Sequence, residues 1–117
     1  MSDLFKAVKE NDIERVSSLL EDGVDPNIQD NYRSTPLHRA FHAINSSRIE
    51  IVKLLLKHGA DPNIQNKNRY TPLHEASYHD YPETVKLLLE YGADPNIQGI
   101  GGWTPLYGVL YRERNGY

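Results

Sequence analysis

Two histidines have the spacing of a metal-binding pair on a helix. His38 and His42 lie four residues apart, so that on a helix both imidazoles would lie on one face, as paired zinc ligands do. A helical metalloprotease motif would also need glutamate at position 39, where this chain has arginine. The related string at 74–78 keeps the glutamate, Glu75, but ends in Tyr78 instead of a second histidine. Neither string completes a site, so we predict no metal and no metal-dependent catalysis.

A glycine-rich loop, Gly99–Gly102, is the second feature that could carry chemistry. A phosphate-binding loop would end in Lys-Ser or Lys-Thr, but Trp103 and Thr104 follow here. No strand of a βαβ unit precedes the loop, so it also fails as a dinucleotide fingerprint. The carboxylates are scattered, and no spacing forces two of them together for acid–base work. We therefore predict no cofactor and no intrinsic catalysis, and that the chain is not an enzyme.

Length and composition restrict the remaining classes. The 117 residues suffice for one domain, and the 38% hydrophobic content suits an elongated shape with much surface per residue. With 13 basic and 16 acidic residues the net charge is −3, which predicts no nucleic-acid and no membrane partner. The chain has no cysteine, and its first residues lack the layout of a secretion signal. We expect a cytoplasmic protein, with export as an effector left open.

The chain repeats itself at a period close to 33 residues. The string Asp-Pro-Asn-Ile-Gln begins at positions 25, 61 and 94, and the string Thr-Pro-Leu begins at positions 35, 71 and 104. A glycine recurs at positions 23, 59 and 92. All three series step by 36 and then by 33 residues. Such repetition is the signature of a repeat architecture.

One repeat contains signals for two helices. Thr71 is a good N-cap and Pro72 suits the first helical position, so a first helix of about nine residues is predicted. Leu73, Ala76 and Ser77 would share one face of it. Asp80, with Glu83 three residues later, has a capping-box spacing that opens a second helix. That helix would end at Gly92, and it would bury an apolar stripe of Val85, Leu88 and Leu89. The same cap spacing occurs at Asn11 and Glu14 and at Ser47 and Glu50.

These strings resemble the ankyrin repeat. Thr-Pro-Leu-His-Arg-Ala at 35–40 and Thr-Pro-Leu-His-Glu-Ala at 71–76 look like its signature. Ile-Val-Lys-Leu-Leu-Leu at 51–56 and Gly-Ala-Asp at 59–61 fit the same family, and the resemblance runs from about Leu4 to Val109. It implies an all-α ankyrin-repeat solenoid of stacked helix–turn–helix units with hairpin-like loops, about three and a half repeats long.

The resemblance divides residues 1–117, a single ankyrin-repeat domain, into four units. The second unit has three extra residues between Thr35 and Ser47, which predicts a longer first helix or a bulged turn around residues 43–46. The last unit stops before its second helix. The units are approximately 2–34, an N-terminal cap; 35–70, with the insertion; 71–103; and 104–117, truncated.

Several positions in the loops have a specific interpretation under this resemblance. Arg33 and Arg69 stand where the family prefers glycine, which Gly102 alone keeps, so modest backbone strain is expected in the first two loops. His38 and His74 match the signature histidines and should form hydrogen bonds near the base of the loops. The loop asparagines are expected to bond their own backbone, although in some family members the equivalent residue is hydroxylated. They are Asn27, Asn63 and Asn96.

The function implied by the family is binding of a partner protein, which the sequence does not identify. Binding would use the loop tips and the concave face of the first helices, where residues favoured at binding hot spots are common. The alternative is a regulatory or targeting fragment of a larger protein, such as an enzyme whose catalytic region is absent here. The predicted partner-binding residues are Tyr32, Arg33, Arg39, Asn68, Arg69, Tyr70, Glu75, Tyr78, Ile100 and Trp103.

The C-terminal edge carries its own expectation. A helix over residues 104–112 would present Leu106, Val109 and Leu110 at helical spacing, with no second helix to cover them. Exposed apolar patches of this kind usually have a use. We expect self-association through this edge or its coverage by a further C-terminal segment in preference to a frayed last helix. The main rival is a polar tail that folds back with Tyr111 or Tyr117 across the edge.

Overall fold

The computed structural model of the chain describes residues 3–42, 48–79 and 81–107. Within these ranges the secondary structure is helical and there are no strands, which confirms the all-α class. The chain divides into two compact units, Met1–Asp61 and Pro62–Tyr117, which we call unit 1 and unit 2. The four repeat boundaries taken from the sequence stay a prediction.

Unit 1 contains four α-helices. They are α1 (Asp3–Lys9), α2 (Ile13–Glu21), α3 (Pro36–Arg39), which continues as a 3-10 turn over Ala40–His42, and α4 (Arg48–Lys57). Helix α1 contacts α2 and α3, and α2 contacts α4. Each helix buries apolar residues at helical spacing, and the fully buried ones include Leu4, Val8, Val16, Leu37, Ile51 and Leu55.

Helix α2 begins one residue later than predicted. Its N-cap is Asp12, whose carboxylate accepts the amide of Arg15 at 3.1 Å. The prediction of Asn11 as the cap is therefore wrong. Asn11 instead adopts a left-handed backbone with φ of 58°, a conformation that asparagine tolerates better than most residues. The corresponding cap at Ser47 and the bulge around residues 43–46 lie outside the described residues.

Unit 2 begins its first helix as the sequence predicts. Helix α5 spans Pro72–Tyr78, seven residues instead of about nine, and the Thr71 side chain accepts the amide of His74 at 3.4 Å. The face formed by Leu73, Ala76 and Ser77 is buried, which confirms that part of the pattern. A 3-10 turn over Ile100–Gly102 follows later, and helical residues resume at Pro105.

Helix α6 (Pro82–Glu90) is only partly as predicted. Its N-cap is Tyr81, which makes no side-chain cap bond, and Asp80 lies outside the described residues. The helix buries Leu88, as expected, but Leu89 is 44% exposed. The predicted stripe was wrong at this position because the side of α6 on which Leu89 lies is open to solvent, whereas the side of Leu88 is covered. The chain then leaves the helix through Gly92, whose φ of 90° is the left-handed stop predicted for it.

Candidate functional site

The loop over residues 30–34 in unit 1 is organised by one carboxylate. The Asp30 amide donates to the Ser34 carbonyl at 3.0 Å, and the Arg33 amide donates to the Asp30 carbonyl at 2.9 Å, which closes the tip. One oxygen of the Asp30 carboxylate also accepts the amides of Tyr32 and Ser34, at 2.9 and 3.0 Å. This pattern is an aspartate turn that fixes the direction in which Tyr32 leaves the loop.

Arg39 on helix α3 engages the second oxygen of the same carboxylate. Its Nε and Nη2 atoms lie 2.8 and 2.7 Å from Asp30 Oδ2, and its guanidinium carbon lies 5.6 Å from the centre of the Tyr32 ring. Although burial by itself raises the pKa of Asp30, hydrogen bonds from Arg39, Ser34 and Tyr32 together hold it below its ordinary value. Arg39 therefore stabilises the loop that presents Tyr32.

The loop over residues 66–70 in unit 2 has the same framework without the charge. Asn66 replaces the aspartate, and its side-chain oxygen accepts the amides of Asn68 and Tyr70, each at 3.0 Å. The backbone closes in the same way, with Asn66 donating to Tyr70 at 2.9 Å and Arg69 donating to Asn66 at 2.8 Å. Glu75 occupies the position on the first helix that arginine holds in unit 1. Unit 2 thus reverses the charge of this helix position.

The third loop, at residues 99–103, keeps only the backbone part of the framework. Gly99 donates to the Trp103 carbonyl at 2.7 Å, and Gly102 donates to the Gly99 carbonyl at 3.1 Å. A Cβ at position 99 would collide with the Tyr70 ring, so glycine is required for that ring to approach the loop. The glycine-rich string is therefore explained by the close approach of Tyr70 and the turn of the backbone.

The strain predicted for the first two loops is confirmed by the backbone. Arg33 and Arg69 have φ values of 59° and 66°, in the left-handed region that favours glycine. Their carbonyls accept the side-chain amides of Gln29 and Gln65, at 2.9 and 2.8 Å. These glutamines end the repeated Asp-Pro-Asn-Ile-Gln string, and the sequence reasoning assigned them no role. Their recurrence four residues before each arginine was the available signal.

An aromatic cleft of about 220 Å³ lies in unit 2, between the loop at residues 66–70 and the loop at residues 99–103. We call it the aromatic cleft, and its lining residues are Tyr70, His74, Glu75, Tyr78, Trp103 and Thr104. The rings of Tyr70 and His74 are 5.2 Å apart, and the Trp103 ring is 4.3 Å from that of Tyr107. Seven of the ten predicted partner-binding residues belong to the loops or helix α5 of unit 2, and four of those line the cleft.

His74 connects the first helix to the third loop. The amide of Thr71 donates to its Nδ1 at 3.0 Å, so Nδ1 is an acceptor and Nε2 carries the proton that is donated to the Trp103 carbonyl at 2.9 Å. Burial lowers the pKa of His74, while the Trp103 carbonyl and the charge of Glu75 act in the opposite direction. The ring is therefore neutral at pH 7. His38 repeats the contact with its own threonine, Thr35, at 3.1 Å, which confirms the hydrogen-bonding role predicted for both histidines.

The ten predicted residues divide between the two units. Unit 1 contains Tyr32, Arg33 and Arg39, of which Tyr32 is 65% exposed. In unit 2, Tyr78 is 40% exposed and Ile100 is 53% exposed. The other members of the unit 2 set include both exposed and half-buried side chains; they are Asn68, Arg69, Tyr70, Glu75 and Trp103. The structure brings Tyr70, Glu75, Tyr78 and Trp103 together around one cleft in unit 2 and places Arg39 against Tyr32 in unit 1.

Two of the three loop asparagines do not act as predicted. Asn27 donates its side-chain amide to the Gly59 carbonyl at 3.1 Å and accepts the Asp61 amide at 2.7 Å. In unit 2, Asn63 makes the same pair with Gly92 and Asp94, at 3.0 and 2.7 Å. The prediction that they bond their own backbone is therefore wrong for Asn27 and Asn63, because each of these side chains joins two successive repeats; for Asn96 it stays a prediction. The recurrence of an asparagine in each repeated string, with a Gly-Ala-Asp string in the following repeat, was the available signal for this link.

The geometry of the described residues gives no support to metal binding or nucleotide binding. Nδ1 of His38 accepts the amide of Thr35, and the His42 side chain lies outside what the structure describes. Across residues 3–42, 48–79 and 81–107, no group of three histidine, cysteine, aspartate or glutamate side chains could hold a metal ion. In the same ranges, no helix is long and apolar enough to cross a membrane.

Comparison with protein families decides which fold family these repeats represent. The model for ankyrin repeats in three copies matches residues 4–99, which is most of the chain. The chain belongs to the ankyrin-repeat family. A search of curated proteins gave no match. Ankyrin repeats are generally protein–protein interaction modules and are typically non-catalytic.

Proposed function

We propose that this ankyrin-repeat chain binds a partner protein through its loop tips and the neighbouring faces of its first helices, without catalysis of its own. The main observation that supports this proposal is that the loops share one hydrogen-bonded framework but differ at their tips. Backbone bonds close all three loops, and Asp30 and Asn66 fix the first two. The tips that this framework presents read Asn-Tyr-Arg, Lys-Asn-Arg and Ile-Gly-Gly. A constant scaffold with variable tips is how repeat proteins combine stability with recognition.

The composition of the tips and first helices supports the same proposal. Tyrosine and arginine are enriched at binding hot spots because they offer a large contact area and several hydrogen bonds per side chain. Tyr32 and Tyr78 are exposed in unit 1 and unit 2 respectively, and Arg69 is exposed beside the second tip. Because Arg39 anchors Asp30, we assign it to loop stability more than to direct contact. An intracellular location stays part of the proposal, as the lack of cysteine predicts.

The test compares recognition residues with matched residues on the second helices. The tagged protein and its variants would be used to capture partners from cells that express it, with quantitative mass spectrometry. We expect Tyr32→Ala, Arg69→Ala or Tyr78→Ala to reduce capture of a specific partner at least about tenfold, as hot-spot truncations do. Lys53→Ala and Lys86→Ala, on exposed positions of α4 and α6, should leave capture unchanged. The reverse pattern would exclude the proposed surface.

Exposed apolar residues near residue 106 favour a second candidate, self-association through the C-terminal edge. Leu106 and Tyr107 are both exposed, whereas Val109, Leu110 and the tail tyrosines lie outside the described residues. Light scattering over a wide concentration range would test it on the parent and on Leu106→Glu. A concentration-dependent dimer that the substitution abolishes would support this candidate, and a parent that stays monomeric would remove it. The origin of the chain as part of a larger protein stays a prediction.

A further inference from the structure

We propose that the aromatic cleft of unit 2 binds a cationic side chain, arginine or lysine, of the partner protein. This inference deepens the proposed function and rests on it, because the cation is supplied by a partner. It is specific to unit 2, since the corresponding aspartate–arginine pair of unit 1 is already neutralised internally.

The first argument is the chemistry of the lining. Tyr70, Tyr78 and Trp103 contribute three aromatic rings to a space of about 220 Å³, which suits one extended side chain more than a drug-sized ligand. The faces of aromatic rings carry negative charge density and attract ammonium and guanidinium groups, tryptophan and tyrosine more strongly than phenylalanine. An arginine side chain can also stack its planar group on such rings.

The second argument is the charge of the cleft. Glu75 lines it, and its side chain is partly buried. Among the described residues its ion-pair partner is His79, with 3.6 Å between His79 Nε2 and Glu75 Oε2, and histidine carries charge only when protonated. The other titratable ring of the lining, His74, is neutral because Nδ1 accepts an amide hydrogen and burial lowers its pKa. The described lining of the cleft therefore contains one carboxylate and no permanently positive side chain.

The equivalent helix position of unit 1 does not offer a cation-binding site. Arg39, at the position of Glu75, forms an ion pair with Asp30 and lies against Tyr32. An arginine of the chain itself therefore occupies the place beside the tyrosine. In unit 2 the helix position is an anion, Glu75, and no arginine or lysine is among the described residues that line the cleft.

The experiment uses the fact that Trp103 is the single tryptophan of the chain. Its fluorescence would be recorded at about pH 8, where histidines are neutral, during titration with the blocked tripeptides Gly-Arg-Gly and Gly-Lys-Gly. The neutral control is the citrulline peptide, which has the shape of arginine without its charge, in buffers of matched ionic strength. We expect saturable changes with at least one cationic peptide, half-complete on the order of 10 mM, and no saturable change with citrulline.

Matched variants connect the signal to the cleft. Glu75→Gln should weaken cationic peptide binding about three- to tenfold, whereas Glu90→Gln, on the same unit but outside this lining, should not. Tyr78→Leu, which keeps apolar bulk but removes the ring, should weaken it at least about fivefold. Tyr91→Leu is its control, since Tyr91 is 46% exposed and lies away from the cleft. Thermal melts of all four variants verify folding.

The outcomes separate this inference from the proposed function. A lack of saturable binding by either cationic peptide, or equal binding of the citrulline peptide, overturns the cation site even when Tyr78→Ala impairs partner capture. Cation binding that depends on Glu75 and Tyr78 supports the site. If partner capture is nevertheless unchanged in the same variants, the proposed partner surface fails while the cation-binding property of the cleft stands.

Discussion

Helix α4 in unit 1 and helix α6 in unit 2 share the string Val-Lys-Leu-Leu-Leu but bury it differently. Helix α4 buries four residues, Ile51, Val52, Leu55 and Leu56, whereas α6 buries only Thr84 and Leu88. The inward face is common to both, since Leu55 and Leu88 are fully buried. The adjacent face is covered in α4 and open in α6. Identical residues at equivalent positions of the two helices therefore contribute unequally to stability.

The first helices show a matching contrast in charge. In unit 1, Arg39 neutralises Asp30 and stiffens the loop that carries Tyr32. In unit 2, the aspartate is replaced by Asn66 and the arginine by Glu75, so the loop keeps its shape through neutral hydrogen bonds alone. The changes at these two positions thus replace an ion pair with a single carboxylate, which lines the aromatic cleft.

The largest expected effect concerns the face that the two helices share. Leu55→Ala removes a fully buried side chain and should lower the free energy of unfolding by about 2–5 kcal/mol. That is a large part of the roughly 5–15 kcal/mol typical of a domain. Urea denaturation followed by circular dichroism measures the change. A loss below about 1 kcal/mol would show that this helix face does not belong to the core.

The next largest expected effect on stability concerns the helix face that is covered in α4 and open in α6. Leu56→Ala should cost about 2–3 kcal/mol, because Leu56 is buried. Leu89→Ala, at the equivalent position of α6, should change stability by less than about 0.5 kcal/mol, because its side chain is already in contact with solvent. The two variants are measured side by side by chemical denaturation. Equal losses would contradict the contrast between α4 and α6.

The histidine that joins α5 to the third loop predicts a pH dependence. The pKa of His74 is lower in the folded chain than its ordinary value of 6.5, so the unfolded chain takes up the proton first as the pH falls. The contribution of His74 to stability is therefore complete above about pH 6.5 and is lost as the pH falls through the folded pKa. Melting temperatures between about pH 7.5 and 5 should decline less in His74→Gln than in the parent. Identical slopes would exclude this linkage.

The lowered pKa of Asp30 predicts that the unit 1 loop loses stability in a separate, more acidic pH range. Its folded pKa is lower than the ordinary 3.8, so its contribution is complete above about pH 3.8 and is lost as the pH falls through the folded value. Asp30→Asn, which copies the residue of unit 2, should flatten the decline of stability below pH 4 and leave the interval from about pH 7.5 to 5 unchanged. A change confined to the higher interval would assign the titration to another group.

The smallest effect concerns the left-handed arginines. Arg33→Gly and Arg69→Gly should each raise stability by about 0.5–1 kcal/mol, because glycine adopts a positive φ without steric cost, which outweighs its greater freedom when unfolded. Asn68→Gly is the control, since its φ is not among the positive values of the described residues, and it should gain nothing. Differential scanning calorimetry would resolve the changes. A loss of stability in both arginine variants would mean that their side chains stabilise the loops.

Much of the fold was predictable because its signals are local. Thr71 and Pro72 start a helix through hydrogen bonding and a fixed φ, and Gly92 stops one through its left-handed backbone. The cap of α2 was missed by one residue because Asn11 and Asp12 are both good caps, and the choice depends on the turn that precedes them. The bonds of Asn27 to Gly59 and Asp61 were missed because they join residues more than 30 positions apart.

The sequence by itself determined the repeat, the start of α5, the stop at Gly92, the left-handed loop positions and the inward leucines, because each depends on contacts within a few residues or on strict periodicity. Only the tertiary structure decided which copies of the same leucine string are covered, and which aromatic rings and which carboxylate meet in a cleft. Leu56 and Leu89 occupy equivalent positions in equal strings, yet one is buried and the other exposed. Burial depends on what packs against a helix from outside, and no property of the helix's own residues specifies that neighbour.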